Sequence, residues 1–174
     1  MPRNKKQELP PEVNSNITIE NARIGFRNFT GKESQFNRPG SRNFCIFLEP
    51  ELAKTLDSDG WNVKFLEPRD PDEERQAYLP VEVKYMRYPP KITLITGGGM
   101  QILDEDTVNI LDWAEFESVD LIVRPYNWEL NDKRGVKAYL KTMYVTIVED
   151  ELAKKYRDVP VSGTAGDEES TWEE

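Results

Sequence analysis

Whatever chemistry this chain performs is done without histidine. Its 174 residues include none, and only one cysteine, Cys45. Serine–histidine and cysteine–histidine nucleophiles are therefore excluded, as are zinc sites built on imidazole or on four thiolates. Carboxylates, lysines, arginines and aromatic rings remain. The carboxylates form pairs, Asp57/Asp59, Asp70/Asp72 and Asp104/Asp106, and a nuclease would need one such pair to hold magnesium. None has calcium-loop spacing, and all fall at helix ends or in loops, where Asp ordinarily caps. No metal, cofactor or catalysis is expected from them.

The cations and rings are more concentrated. The run RPYNWELNDKRGVKAYLK, residues 124–141, holds two arginines, three lysines, two tyrosines and a tryptophan. Read as a β-hairpin, it puts Arg124, Tyr126 and Trp128 on one face of the first arm, because alternate residues of a strand share a face. In the second arm Val136, Ala138 and Leu140 alternate with Lys137, Tyr139 and Lys141, and Lys133 and Arg134 stand near the turn. A groove for single-stranded nucleic acid combines phosphate-binding cations with rings on which bases stack, each stacked base being worth roughly 1–3 kcal/mol. The competing reading packs the rings in a core and leaves the cations to solvent. Two smaller sets have the same composition. VKYMRYPPK interleaves Lys84, Arg87, Tyr88 and Lys91 with Tyr85 and Met86, and reads equally well as an edge strand blunted by lysine and proline. ARIGFRNFTGK offers Lys32 and, on one parity, Arg23, Arg27 and Phe29.

Several elements must position these residues. NITIENARIGFRNF, 16–29, changes the parity of its apolar residues from Ile17/Ile19 to Ala22/Ile24/Phe26, which predicts a β-bulge near Glu20 and Asn21. RNFCIFLE predicts a strand with Phe44, Ile46 and Leu48 inward, and PELAKTLDSDG a short helix opened by proline and ended by glycine. WNVKFLE, YLPVEVKYMRY and KITLIT read as further strands, with TGGGM as a turn that lacks the Gly-Lys-Ser/Thr of a phosphate loop. DEDTVNILDWA predicts a helix with Val108, Ile110 and Leu111 on one face, and DELAKKYR a last short helix. Short bulged strands, with a helix before the final pair, predict an all-β fold with small α content. The expected architecture is an OB-fold Greek-key barrel over 16–157, with a β-sandwich as the alternative. Residues 1–15 are expected to be a flexible arm, and 158–174 a disordered acidic tail.

Charge is segregated along the chain. The net charge is −9, but the last ten residues, AGDEESTWEE, carry five acids and no base, and 67–74, EPRDPDEE, carry five acids against one arginine. An acidic total therefore does not exclude an anionic partner for the basic segments. Apolar residues make up 37% of the chain and no run approaches the roughly 18 that a membrane helix needs. The basic start MPRNKKQELPPE is followed by no apolar stretch of the kind a secretory signal has. A lone cysteine within an apolar strand pattern fits a reducing compartment, so a cytoplasmic location and no membrane partner are expected.

These residues resemble a family. Over about 16–157 the chain is similar to the OB-fold single-stranded DNA-binding proteins of bacteriophages and prophages. RPYNWEL followed by GVKAYLKTMYVTI carries the likeness, with support from ITIENARIGFRNF and ITLITGGG. The resemblance implies sequence-independent binding of single-stranded DNA in replication, recombination or repair, in host cytoplasm if the protein is phage-encoded. It also implies a tail, here Asp167, Glu168, Glu169, Trp172, Glu173 and Glu174, that docks replication or recombination proteins. The tail departs from the bacterial type by ending in STWEE rather than closing on Pro-Phe. Pairing of two copies is left open. The alternative function is a non-catalytic protein-interaction or virion-associated barrel.

Overall fold

The structure, a computed structural model of the chain, describes residues 11–35 and 37–149. Among these residues nine strands form one sheet: β1 (Ile17–Ile19), β2 (Arg23–Asn28), β3 (Arg42–Leu48), β4 (Lys64–Phe65), β5 (Ala77–Val83), β6 (Lys91–Thr96), β7 (Gly99–Leu103), β8 (Phe116–Leu130) and β9 (Lys133–Ile147). The main ladder runs β1-β8-β9-β5-β3-β2. β1 and β2 are two halves of one chain segment bent at Asn21, which has φ +51°. The sheet thus curls until its two edge strands follow each other in sequence, although the ladder itself is not closed. Ala22 N–H donates to Val119 O at 2.8 Å across that gap. The helix α1 (Pro50–Asp59) packs Ala53 and Leu56 into the core and ends at Gly60, whose φ of +99° is one that glycine adopts without penalty. The expected all-β, OB-like fold is the one observed.

The core is the inner side of this sheet. Alternation puts Phe44, Ile46 and Leu48 of β3 and Ala77, Leu79, Val81 and Val83 of β5 inside, with Val119, Leu121 and Val123 of β8 facing them. β9 fills the core with Val136, Ala138 and Leu140 and then, after a change of parity, with Met143 and Val145. That change is a bulge: Ile122 pairs with Thr142 but Val123 with Leu140, leaving Lys141 as the extra residue. One fifteen-residue strand can then serve both β5 and, through its second half, β6.

A second bulge reverses an expectation. Gly25 pairs with Cys45 but Asn28 with Asn43, so β2 carries one residue more than β3 between those pairs, and Phe26 takes φ +49°. The strand turns over there. Phe26, expected inside, is 60% exposed, while Phe29, expected on a binding face, is wholly buried and stacked on Phe44 at 5.2 Å. Three other elements are shorter or tighter than predicted. WNVKFLE contributes only the two residues of β4, and Trp61 is buried instead, bridging to Val136. The 104–114 segment forms a 3-10 helix over Val108–Asp112, burying Val108 and Leu111 but leaving Ile110 exposed. TGGGM is a tight turn between β6 and β7, with Thr96 and Gly99 paired. The helix expected in DELAKKYR lies outside the described residues.

Candidate nucleic-acid interface

The hairpin of β8 and β9 closes through Asn131 and Asp132, with φ +48° and +65°, between the paired residues Leu130 and Lys133. Two consecutive left-handed residues give a turn whose twist matches that of the strands, and Asn and Asp tolerate the conformation best after glycine. Below the turn, the register sets Arg124 opposite Tyr139, Tyr126 opposite Lys137, and Trp128 opposite Gly135. With Val123 and Val136, Ala138 and Leu140 committed to the core, all of these point to the outer side of the sheet. Each rung therefore carries a ring, and the first two pair it with a cation.

The rings are organised rather than scattered. Tyr126 stacks on Tyr139 with centroids 5.2 Å apart and planes at 23°. The Arg124 guanidinium lies 4.9 Å from the centre of the Tyr139 ring and 5.4 Å from that of Tyr88. Lys84 Nζ lies 5.1 Å from the Tyr139 ring and donates to its hydroxyl at 3.4 Å. Tyr139 is consequently only 8% exposed although it faces away from the core, whereas Tyr126 and Tyr88 are 47% and 70% exposed. Tyr139 is a covered platform, and Tyr126 and Tyr88 are the rings that a base can reach. Trp128 lies flat on the strand opposite it: a Cβ at Gly135 would come within 2.5 Å of the indole.

An acid stands among these cations. Glu82 of β5 pairs in register with Tyr139 and lies 3.6 Å from Lys84 and 4.0 Å from Lys137. Partial desolvation lowers the Lys84 pKa, but the Tyr139 hydroxyl and the Glu82 carboxylate outweigh it, and the net shift is upward. Lys84 is therefore fully charged at neutral pH.

The other expected residues are distributed as follows. Lys133, Lys137 and Lys141 are exposed, the last at the bulge, and Arg87 stands exposed in the Lys84–Pro90 loop with φ +68°. Arg134 has the opposite parity from Lys137 and is held by Glu129 at 3.2 Å. Arg27 is held inside the fold: it donates to Leu111 O and Ala114 O at 2.9 and 2.8 Å and lies 4.4 Å over the Phe116 ring. A guanidinium so occupied ties β2 to the end of the 3-10 helix and is not available to a phosphate. Phe29 is removed from the candidate face by its burial. The tail residues Asp167, Glu168, Glu169, Trp172, Glu173 and Glu174 lie outside the described residues. Glu82 was not foreseen, and its outward parity in YLPVEV was the signal for it.

Of the acid pairs, Asp104/Asp106 opens the turn before the 3-10 helix. Asp104 Oδ1 accepts from Asp106 N–H, Thr107 N–H and Thr107 Oγ1 at 2.9–3.0 Å, and the Thr107 hydroxyl and these amides hold its pKa low. Among the described residues no group of three or more His, Cys, Asp or Glu side chains could hold a metal ion, and no helix is long and apolar enough to cross a membrane. Burial pushes the Cys45 thiol up to about 11.

A curled sheet in this strand order belongs to the OB-like class of folds. Residues 7–171 match the family described as "Putative phage ssDNA-binding domain", and the chain belongs to that family. No curated protein matches the chain in sequence. Among solved structures it is similar to the single-stranded DNA-binding protein from bacteriophage Enc34 in complex with ssDNA, at TM-score 0.51 and 11% identity, covering 83% of this chain and 98% of that one. The same Enc34 protein in another structure gives TM-score 0.50 at 11% identity over 92% and 99% of the two chains.

Proposed function

We propose that this chain binds single-stranded DNA, without sequence preference and without catalysis, on the outer face of β5, β8 and β9. The observation that carries the reading is the Tyr126–Tyr139 stack with Arg124, Lys84 and Tyr88 around it, because a tyrosine is buried there by cations and rings rather than by core. Phosphates are drawn to Arg124, Lys84, Lys137 and Lys133, and bases stack on Tyr126 and Tyr88. Trp128, fixed on Gly135, borders the same face. The family, and the likeness of this fold to the Enc34 single-stranded DNA-binding protein in complex with ssDNA, support the same reading. The work such binding serves is coating and protecting single strands during phage replication, recombination or repair in the host cytoplasm. The acidic tail, with Trp172, then docks replication or recombination proteins.

Titration with oligothymidine tests this directly. Tryptophan emission should be quenched on binding, the affinity should fall steeply with salt, and duplex DNA should bind more weakly. The absence of both a quench and a gel shift would favour a barrel that binds protein.

A further inference from the structure

The outer side of the sheet has a second line of cations and rings. Arg23 of β2 stands opposite Phe47 of β3, Phe47 opposite Tyr78 of β5, and Tyr78 opposite Lys64 of β4. Register partners share a face, so four strands read cation, ring, ring, cation in one row. The row alternates with the core positions of β3 and β5 and points away from them. Arg23 lies 5.9 Å from the centre of the Phe47 ring. Phe26 closes over the row, 6.0 Å from both Phe47 and Tyr78 with planes inclined by 62° and 59°.

Packing alone does not explain this group. A bulky residue in the left-handed region carries backbone strain, and Phe26, at φ +49°, remains 60% exposed, so little burial offsets it. Beneath it the Phe47 ring lies on the bare backbone of Gly25, where a Cβ would come within 2.7 Å of the ring. Trp128 on Gly135 repeats that arrangement on the hairpin. The two groups are joined by the outward row of β5, Tyr78, Pro80 and Glu82, which at about 3.3 Å per residue separates them by about 13 Å. Between them Cys45 faces Pro80, so no charged pair interrupts that step. The acid block at 67–74 leaves the sheet just past β4, and its negative charge bounds the group on that side.

We infer that Arg23, Phe26, Phe47, Tyr78 and Lys64 form a second base-stacking station for the same DNA strand, which therefore runs along β5 as well as over the hairpin. This rests on the function proposed above. Strand length separates the two stations. A short oligothymidine fills only the hairpin station, and a longer one reaches both, within the roughly 4–16 nucleotides of one OB fold. The double variant Phe26→Ala, Tyr78→Ala should bind the short strand as the unaltered protein does and lose about 5- to 100-fold on the long one. Phe26→Gly, which removes the ring and relieves the backbone, guards against a folding defect and should show the same length dependence in smaller measure. If neither variant weakens any length while Tyr126→Ala weakens all, the second station is overturned. If Tyr126→Ala has no effect either, the proposed interface itself fails.

Discussion

Tyr126 and Phe29 have the same kind of side chain and opposite consequences. Phe29 is wholly buried on Phe44, so Phe29→Ala should cost about 3–5 kcal/mol of stability, read from a urea midpoint. Tyr126 is 47% exposed and rests on a ring that stays in place without it. Tyr126→Ala should leave the midpoint nearly unchanged and weaken single-stranded DNA of every sequence by about 1–3 kcal/mol. Glu82 works in the other direction. It holds Lys84 and Lys137, and a phosphate arriving at either lysine must displace it. Glu82→Gln should tighten DNA binding by about 2- to 5-fold at low salt, the scale of a partly exposed ion pair. A weaker complex would mean that Glu82 orients the lysines instead of competing for them.

At the scale of elements, strands were more legible than their sides. The hairpin 124–141 can be read from alternation because its inner row, Val136, Ala138 and Leu140, is uniformly apolar. What the pattern does not contain is the extra residue Phe26 absorbed between β2 and β3, which reverses parity beyond itself, whereas the shift at Lys141 is marked by Val136, Ala138 and Leu140 before it and Met143 and Val145 after it. The bulge at Phe26 is why alternation alone puts Phe29 and Arg27 outside and Phe26 in the core, the reverse of where the fold puts Phe26 and Phe29. The bend at Asn21 was legible because apolar residues lie on both sides of it. Phe47 and Tyr78 are illegible for a different reason: a ring between two core positions looks like ordinary strand composition until the neighbouring strand's register is known. The hairpin's own packing can be tested at Gly135. Gly135→Ala would drive a methyl into the Trp128 ring, which lies within 2.5 Å of that position. It should cost about 1–3 kcal/mol and shift the indole emission toward that of a solvated tryptophan.

For the whole molecule the question is how a chain of net charge −9 holds a polyanion. Association depends on the local field and on counterion release, and both belong to the cations of the outer face. If Arg124, Lys84, Lys137 and Lys133 each meet a phosphate, the slope of log affinity against log salt should be roughly −3, from about −0.7 per phosphate on a single strand. The last ten residues complicate this, because they carry five acids and no base on the same chain as those cations. A tethered polyanion competes with DNA most effectively at low salt, where fields are least screened, and loses its effect as the Debye length shortens from about 30 Å at 0.01 M to about 8 Å at 0.15 M. Removing residues 165–174 should therefore raise affinity at low salt, change it little at physiological salt, and steepen the salt slope toward the value set by the four cations. Affinity titrations of both proteins across that range measure all three effects. A shortened chain that bound DNA more weakly at low salt would show that the tail assists the interface and does not compete for it.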